Sequence, residues 1–335
     1  AGHNKLSKLI AIYDDNKITI DGSTDLTFSE NVADRFRAQG WNVIEAGEIS
    51  EDLDAIESAI NQAKQNNDAP TIIIIRSHIG YPSPQFTDTS AAHGALTNAE
   101  DLLATKSIMQ MSEEPFFVDE DVRDFYSNKG ERFSAESKLW TDQSKNNPLL
   151  ASILNGTNES VAQLVQQDLA NYFMDSSGEV IAPNPGDEIA TRVSCGNVLT
   201  TLAEKFSSLL GGSADLTGNT GTKVGNIDVF NPDGRQGRQI HFGIREHSMG
   251  AIANGMALGY NLRPFVGTFF VFADYMRPAI RIAAITKSPV LFVFSHDSVG
   301  VGEDGPTHQP MEQLASLRAM PGLNVVRRAD SYETA

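Results

Sequence analysis

The feature that most restricts this chain is a regular exchange of short apolar runs and helix-period segments through its first third. Residues 9–13 (Leu-Ile-Ala-Ile-Tyr) are an apolar run that ends in Asp14-Asp15-Asn16, as a buried strand leading into a loop would. Ser29-Glu30 opens a helix with Val32, Ala33 and Phe36 on one side, and Gly40 stops it. Residues 41–44 read as the next strand. Residues 52–65 carry Leu53, Ile56, Ile60 and Ala63 at helical spacing, and residues 70–75 give a further strand. Parallel neighbours need a long crossover connection, and a crossover helix must bury its apolar stripe on the sheet. The pattern therefore predicts an α/β fold with a parallel sheet covered by helices.

Between residues 91 and 187 the strand pattern is lost. Charged, helix-favouring stretches at 100–109, 121–127 and 159–173 are interrupted by Pro115, Pro148, Pro183 and Pro185, so this region reads as a long, partly helical linker. The alternation then resumes. Helices are expected at 189–206, 247–258 and 278–285, and strands at 209–212, 239–242, 265–268 and, as a buried strand, 290–295. The domain boundaries on this reading are 1–110, 111–186 and 187–335. The chain opens directly before a strand, and residues 329–335 read as a helix just beginning, so both ends are expected to cut through a domain.

The net charge of −17 argues against a nucleic-acid partner, which needs clustered Lys and Arg. It also requires any anionic substrate to be met by local positive groups that work against the global field. Cys195 is the sole cysteine, which excludes an intramolecular disulfide and a cysteine-based metal site. The longest aliphatic runs, at 72–75 and 290–294, are too short to cross a bilayer, and no secretory apolar region stands at the start. A soluble cytoplasmic protein with no membrane partner is the expectation.

Four segments carry chemistry. Residues 14–22 (DDNKITIDG) follow a predicted strand, where ligands bind in parallel sheets. The Asn16 side-chain oxygen and a backbone carbonyl two residues on suit a hard cation, although a polar turn is the simpler reading of the segment alone. Residues 243–247 (GIREH) place Glu246 near a helix N-terminus, as a catalytic or merely capping carboxylate. Phe269, Phe272 and Tyr275 are spaced to share a helical face and form a stacking wall for a flat heterocycle, against the alternative of ordinary core. Residues 296–310 put His296, His308 and several acids on a glycine-punctuated loop after a buried strand, which is more titratable chemistry than a plain connection needs. The histidine spacings match no trusted zinc motif.

Taken together, the phrases YDDNKITIDG (13–22), GGSADL (211–216), HFGIREHSMGAIANG (241–255), GTFFVFADYMRPAIR (267–281) and HDSVGVGEDGPTHQP (296–310) resemble transketolase over essentially the whole chain. The resemblance implies two parallel-sheet domains of the thiamine-diphosphate-binding type joined by the linker, the first for the pyrophosphate and the second for the pyrimidine. It implies transfer of a two-carbon ketol unit from a ketose phosphate to an aldose phosphate through a thiamine-diphosphate carbanion, in the pentose phosphate pathway. The metal would be Mg²⁺ or Ca²⁺, and the full-length protein would be a homodimer. By the same resemblance, Asn16 and the Ile18 carbonyl match the metal ligands, and Ile20 a residue touching the thiazolium. Glu246 matches the glutamate that hydrogen-bonds the aminopyrimidine, Phe272 the ring stacked on it, and Phe269 and Tyr275 its neighbours. Asp215 matches a cofactor-side carboxylate. Arg192 and His296 match donors to the sugar phosphate, Asp304 the acid that reads the donor's C2 hydroxyl, and His308 a catalytic group assisting proton movements.

There are departures. A Gly-Asp-Gly segment bearing the other metal ligand is expected upstream of Ala1. Ser90 stands where many relatives have His, as in a subset of bacterial members, while His93 keeps the later one. Asn219 replaces a common phosphate-binding Ser. The chain alone is therefore expected to be inactive. A dihydroxyacetone-synthase-like transfer and a non-catalytic or partner-dependent subunit remain the alternatives.

Overall fold

The computed structural model describes residues 1–94, 98–147, 150–151 and 188–334. Within residues 1–132, three parallel strands are ordered β1–β5–β4: β1 (Ile10–Asp15), β4 (Asn42–Gly47) and, between them, β5 (Thr71–Arg76). The Thr-Ile-Ile-Ile-Ile run occupies the central strand, where both faces are covered and an unbroken apolar sequence is the stable choice. Helix α1 (Val32–Ala38) starts at Asn31, whose Oδ1 accepts from the Asp34 amide at 3.0 Å. Helix α2 (Leu53–Gln65) starts at Asp52 in the same way, capping the Ala55 amide at 2.9 Å. Ala59 and Ala63 of α2 pack on Ile73 and Ile75 to make this unit's core. Two short strands, β2 (Ile18–Thr19) and β3 (Gly22–Ser23), form a hairpin after β1.

Helix α3 (Ala99–Ile108) contributes Asp101, 2% exposed, which accepts from Ser83 Oγ at 2.6 Å and the Gln85 amide at 3.0 Å and so fixes the loop after β5. Helix α4 (Glu120–Lys145) is far longer than the segment 121–127 expected, because no proline or glycine stop follows until Pro148; the single Gly130 is carried within it. The boundary between the two compact units, Ala1–Arg132 and Phe133–Ala335, falls inside α4. The helix expected at 159–173 lies outside the described residues.

The second unit holds a four-stranded parallel sheet in the order β7–β6–β8–β9: β6 (Leu209–Ser213), β7 (Gln239–His241), β8 (Arg263–Phe269) and β9 (Leu291–Ser295). Side chains alternate along β8, and each face meets its own core. Phe265 packs with Cys195, Leu199 and Ala203 of α5 (Thr191–Lys205). Val266 packs with Met249 and Ala253 of α7 (Glu246–Gly259) and with Met276 and Ile280 of α8 (Ala273–Thr286). Phe265 is 0% exposed, and its truncation to Ala is expected to cost about 3–5 kcal/mol.

Gly250 permits the α7–α8 crossing: a Cβ there would stand 2.8 Å from Met276 Cγ and 2.9 Å from Ala279 Cβ. Asn254 Nδ2 donates to the Ala279 carbonyl at 2.8 Å across the same crossing.

Two expectations need correction. Strand β9 is an edge strand, with Leu291 49% exposed, rather than fully buried. Helix α8 begins five residues before Pro278, which sits inside it. Pro278 is the sixth residue, past the first turn, so it forfeits the hydrogen bond to the Asp274 carbonyl, and the helix is held there by the packing of Met276, Ala279 and Ile280. Three short helices complete the unit: α6 (Thr217–Thr220), α9 (Gln313–Arg318) and α10 (Ser331–Thr334). No described helix is long and apolar enough to cross a membrane.

Candidate active site

In both units the chemistry-bearing residues gather at the carboxyl ends of parallel strands, the edge where such sheets bind ligands. In the first unit this edge is made of loop backbone. Asn16 follows β1 directly, and its Oδ1 accepts from the Ile18 amide at 2.9 Å, an Asx turn that fixes the two expected cation donors in one loop. Lys17 between them adopts φ 62° and pairs with Asp15 at 2.8 Å. Arg76 at the end of β5 donates from Nη1 to the Asp15 carbonyl at 2.9 Å, which ties the two strand ends together. Ile20, 67% exposed, sits in the turn of the β2–β3 hairpin. Ser90–His93 forms a 3₁₀ turn that packs against β2, so Ser90 and His93 stand beside the Asn16 loop.

In the second unit the edge is made of side chains. Phe269 ends β8, Phe270–Phe272 is one 3₁₀ turn, and Tyr275 lies in the first turn of α8. The three aromatics therefore do not share one α-helical face, as their spacing suggests. A 3₁₀ turn has three residues per turn and eclipses positions i and i+3, which stacks the rings directly. Phe269 and Phe272 lie 5.9 Å apart at 17°, and Phe272 and Tyr275 lie 5.8 Å apart at 30°. Gaps that size admit no intercalated ring, so a flat ligand must lie on the outside of the column.

Glu246 is the first residue of α7 and is 8% exposed. It does not cap its helix. Its one hydrogen bond among the described residues comes from Thr268 Oγ1 at 3.3 Å, at the residue before Phe269. This turns a buried carboxylate toward the foot of the aromatic column. Thr268 was not singled out by the sequence, and no residue type or spacing marks it, because the contact exists only once α7 packs on β8.

The loop after β9 brings both histidines to the same column. The His296 ring centroid is 3.8 Å from that of Phe269, and His308 lies 5.3 Å from Phe272 and 5.9 Å from Phe269. His296 adopts φ 55° and its Nδ1 lies 3.0 Å from Ser295 Oγ, which itself donates to the Asn219 carbonyl at 2.9 Å. Ser295 is thus a second contributor that the sequence did not reveal. Burial pushes the His296 imidazole below its ordinary value; Arg192 and His308 push the same way, while Asp304 and Asp297 oppose them. Arg192 and Asp304 accordingly stand within electrostatic reach of His296. His308 is held in a 3₁₀ turn, its Nδ1 2.9 Å from Thr307 Oγ1, and Gln309 Nε2 braces the loop on the Val301 carbonyl at 2.6 Å.

Arg192 opens α5, and its position is set by Gly221. That glycine has φ 70°, and a Cβ on it would stand 2.0 Å from the Arg192 carbonyl oxygen. Asp215, exposed with φ 66°, follows β6 beyond the Ala214 amide, which extends the sheet by donating to the Gly267 carbonyl at 3.1 Å. Phe269, Phe272, Tyr275, Glu246, His296, His308, Arg192 and Asp304 are thus grouped around one sheet edge, with Asp215 on the neighbouring strand end. Asn16, Ile18 and Ile20 belong to the other unit.

Two family profiles match the chain: the transketolase thiamine-diphosphate-binding domain over residues 1–161 and the transketolase pyrimidine-binding domain over residues 187–335. The chain belongs to the transketolase family. A transketolase of Geobacillus stearothermophilus is 42% identical over 337 residues, an alignment that takes in 100% of this chain and 49% of that protein. Among solved structures, transketolase from Leishmania mexicana superposes with a TM-score of 0.85 at 38% identity, covering 100% of this chain and 49% of that one. A Pichia stipitis transketolase in complex with sedoheptulose 7-phosphate gives a TM-score of 0.86 at 34% identity, over 100% of this chain and 50% of that one. The chain spans about half the length of the transketolases it matches.

The residues present fit the family's cofactor. A buried carboxylate beside an exposed stacking face is the donor set that a flat, amino-bearing heterocycle requires. Among the described residues no group of three His, Cys, Asp or Glu side chains could hold a metal. An amide oxygen with a backbone carbonyl suits a hard oxygen-seeking cation and not zinc.

Proposed function

We propose that the full-length protein is a transketolase, moving a two-carbon ketol unit from a ketose phosphate to an aldose phosphate with thiamine diphosphate and Mg²⁺ or Ca²⁺. The observation that carries this reading is the placement of Glu246: buried, held only by Thr268, and at the foot of a ring column that both histidines touch. Thiamine diphosphate, when bound, supplies the nucleophilic carbon of the reaction. Glu246 would accept a hydrogen bond from the pyrimidine and so set its protonation state, while Phe272 would carry one flat face of the ring from the outer side of the column that Phe269 and Tyr275 flank. Asn16 Oδ1 and the Ile18 carbonyl would hold the cation and Ile20 would meet the thiazolium, while Asp215 would serve the cofactor from the second unit. Arg192 and His296 take the sugar phosphate, Asp304 reads the C2 hydroxyl, and His308 carries a proton at the reacting carbon. Arginine and histidine at the edge of a strongly acidic chain provide the local positive charge that a phosphate dianion needs.

The same reading includes a two-fold homodimer. Helix α7 turns Ser248, Ala251, Ile252 and Gly255 outward, and nothing lies within 4 Å of where a Cβ on Gly255 would stand. A mid-helix glycine costs about 1 kcal/mol relative to alanine, a cost offset where a second backbone approaches closely. Sedimentation of full-length Gly255→Leu tests this, since a dimer unaffected by that bulk places the contact elsewhere.

The functional reading itself is tested with full-length Glu246→Gln, assayed for ketol transfer and titrated with thiamine diphosphate in a calorimeter. Loss of transfer in a chain that still folds supports it. Undiminished transfer refutes the role given to Glu246.

A further inference from the structure

Beside His296 the second unit contains a cavity of about 500 Å³ between the edge strand β9, the start of α5 and residues 323–328. Its wall is apolar on the inner side, with Phe270, Ile280 and Leu317, and carries Arg192, Arg327 and Arg328 together with the acids Asp297 and Glu333. Three arginines and His296 around one cavity are unexpected in a chain of net charge −17.

The arginines are not equivalent. Arg327 donates from Nε to Asp297 Oδ2 at 2.7 Å, which neutralises the carboxylate next to His296. Arg328 has no carboxylate in ion-pair range among the described residues. Its Nε is buried without a hydrogen-bond partner, and its guanidinium lies against the Cys195 thiol. Arg192 and Cys195 are three residues apart on α5 and share a face, so Arg328 lies on the face that presents Arg192. The first amides of α5 line the same wall at Ala190 and Thr191, and Ala190 provides no side-chain cap for them. A partnerless guanidinium nitrogen, a second arginine and an uncapped helix start all call for an anion with several acceptor oxygens.

We propose that Arg328 is a further substrate-specificity residue, donating together with Arg192 to the phosphate of the sugar substrate from the α5 side of the cavity. The proposal rests on the reading of Arg192 and His296 as phosphate donors. It adds a residue from a segment in which the sequence revealed no chemistry. Of the two acids on the cavity, Asp297 is held by Arg327, and Glu333 accepts from the Ala329 amide at 2.6 Å.

The test compares Arg328→Gln, Arg328→Lys and Arg192→Gln in the full-length holoenzyme. Fructose 6-phosphate and unphosphorylated fructose are the paired donors, and inorganic phosphate is titrated calorimetrically into each variant without substrate. Arg328→Gln is expected to lower the ratio of kcat/KM for the phosphorylated over the plain sugar about tenfold, and to weaken inorganic phosphate by a similar factor. Arg328→Lys should restore most of the phosphate affinity, which a purely packing role would not predict. If Arg192→Gln lowers the ratio and Arg328→Gln does not, the inference about Arg328 is wrong and the phosphate reading stands. If neither variant moves the ratio or the phosphate affinity, the phosphate reading itself fails and Arg328 with it.

Discussion

The two ligand-facing edges of this chain are built in opposite ways. At the first, after β1 and β5, the working atoms belong to a loop whose shape is set locally by the Asn16 Asx turn and the positive φ of Lys17. At the second, after β6, β8 and β9, they belong to side chains that meet only because strands and helices distant in sequence pack together: Glu246 on Thr268, His296 and His308 on Phe269 and Phe272. A locally built edge tolerates change in its surroundings but is broken by a single turn residue. A packing-built edge is broken by removal of one charged or flat group and tolerates conservative exchange. The difference leads to an ordered set of expectations.

The largest effect is expected at the packing-built edge. Glu246→Gln in the full-length protein should lower kcat by about 10²–10⁴, the range that a positioned proton-transfer partner contributes. Its melting temperature should stay close to the parent's, because the carboxylate loses only one 3.3 Å contact. A loss under about threefold would remove Glu246 from the chemistry.

Next comes the locally built edge. Asn16→Ala removes both a cation donor and the acceptor that fixes the Ile18 amide, so Mg²⁺ affinity should fall by at least about tenfold in a titration with thiamine diphosphate present. Asn16→Asp keeps the Oδ1 acceptor and should retain most of it. If the two variants bind Mg²⁺ equally, the turn is only a turn. Phe272→Ala tests the wall itself. Loss of one stacking face should weaken thiamine diphosphate about tenfold, and Phe272→Tyr should restore it.

The same division decides what the sequence disclosed. Alternating apolar runs foretold β1, β4, β5 and the strands of the second sheet, because strand and helix periods are local properties. A polar turn at residues 14–22 was equally visible, since Asp, Asn and Gly cluster there, whereas the Asx bond from Asn16 to the Ile18 amide was seen only in the fold. Thr268 and Ser295 were silent: each is an ordinary hydroxyl whose partner, Glu246 or the Asn219 carbonyl, lies 22 or 76 positions away. Arg328 was silent for the same reason, because only the fold brings residues 323–328 against α5. The aromatic column was foreseen in membership but not in geometry. Spacing by three fits an α-helix and a 3₁₀ turn alike, and the strand end at Phe269 decides for the latter.

The smallest expected effect concerns pH and falls at the packing-built edge. His296 is held below its ordinary value of 6.5, first by burial and then by the charge of Arg192. An unfolded chain takes up a proton near 6.5, while the folded chain resists it until the pH is lower, so the unfolded state binds more protons across that interval. Stability contributed by this group is therefore fully present above 6.5 and lost as pH falls through the interval toward the folded value. The melting temperature of the parent should fall faster than that of His296→Gln as pH drops from about 7.5 to about 5. An imidazole resonance of His296 titrating at or above 6.5 would contradict the burial on which this rests. Phosphate sharpens the test. A dianion bound by Arg192 and His296 favours the protonated ring, so saturating inorganic phosphate should move the His296 titration upward and narrow the gap between the two melting curves. A His296 titration that saturating phosphate leaves in place would take the sugar-phosphate site away from this part of the packing-built edge.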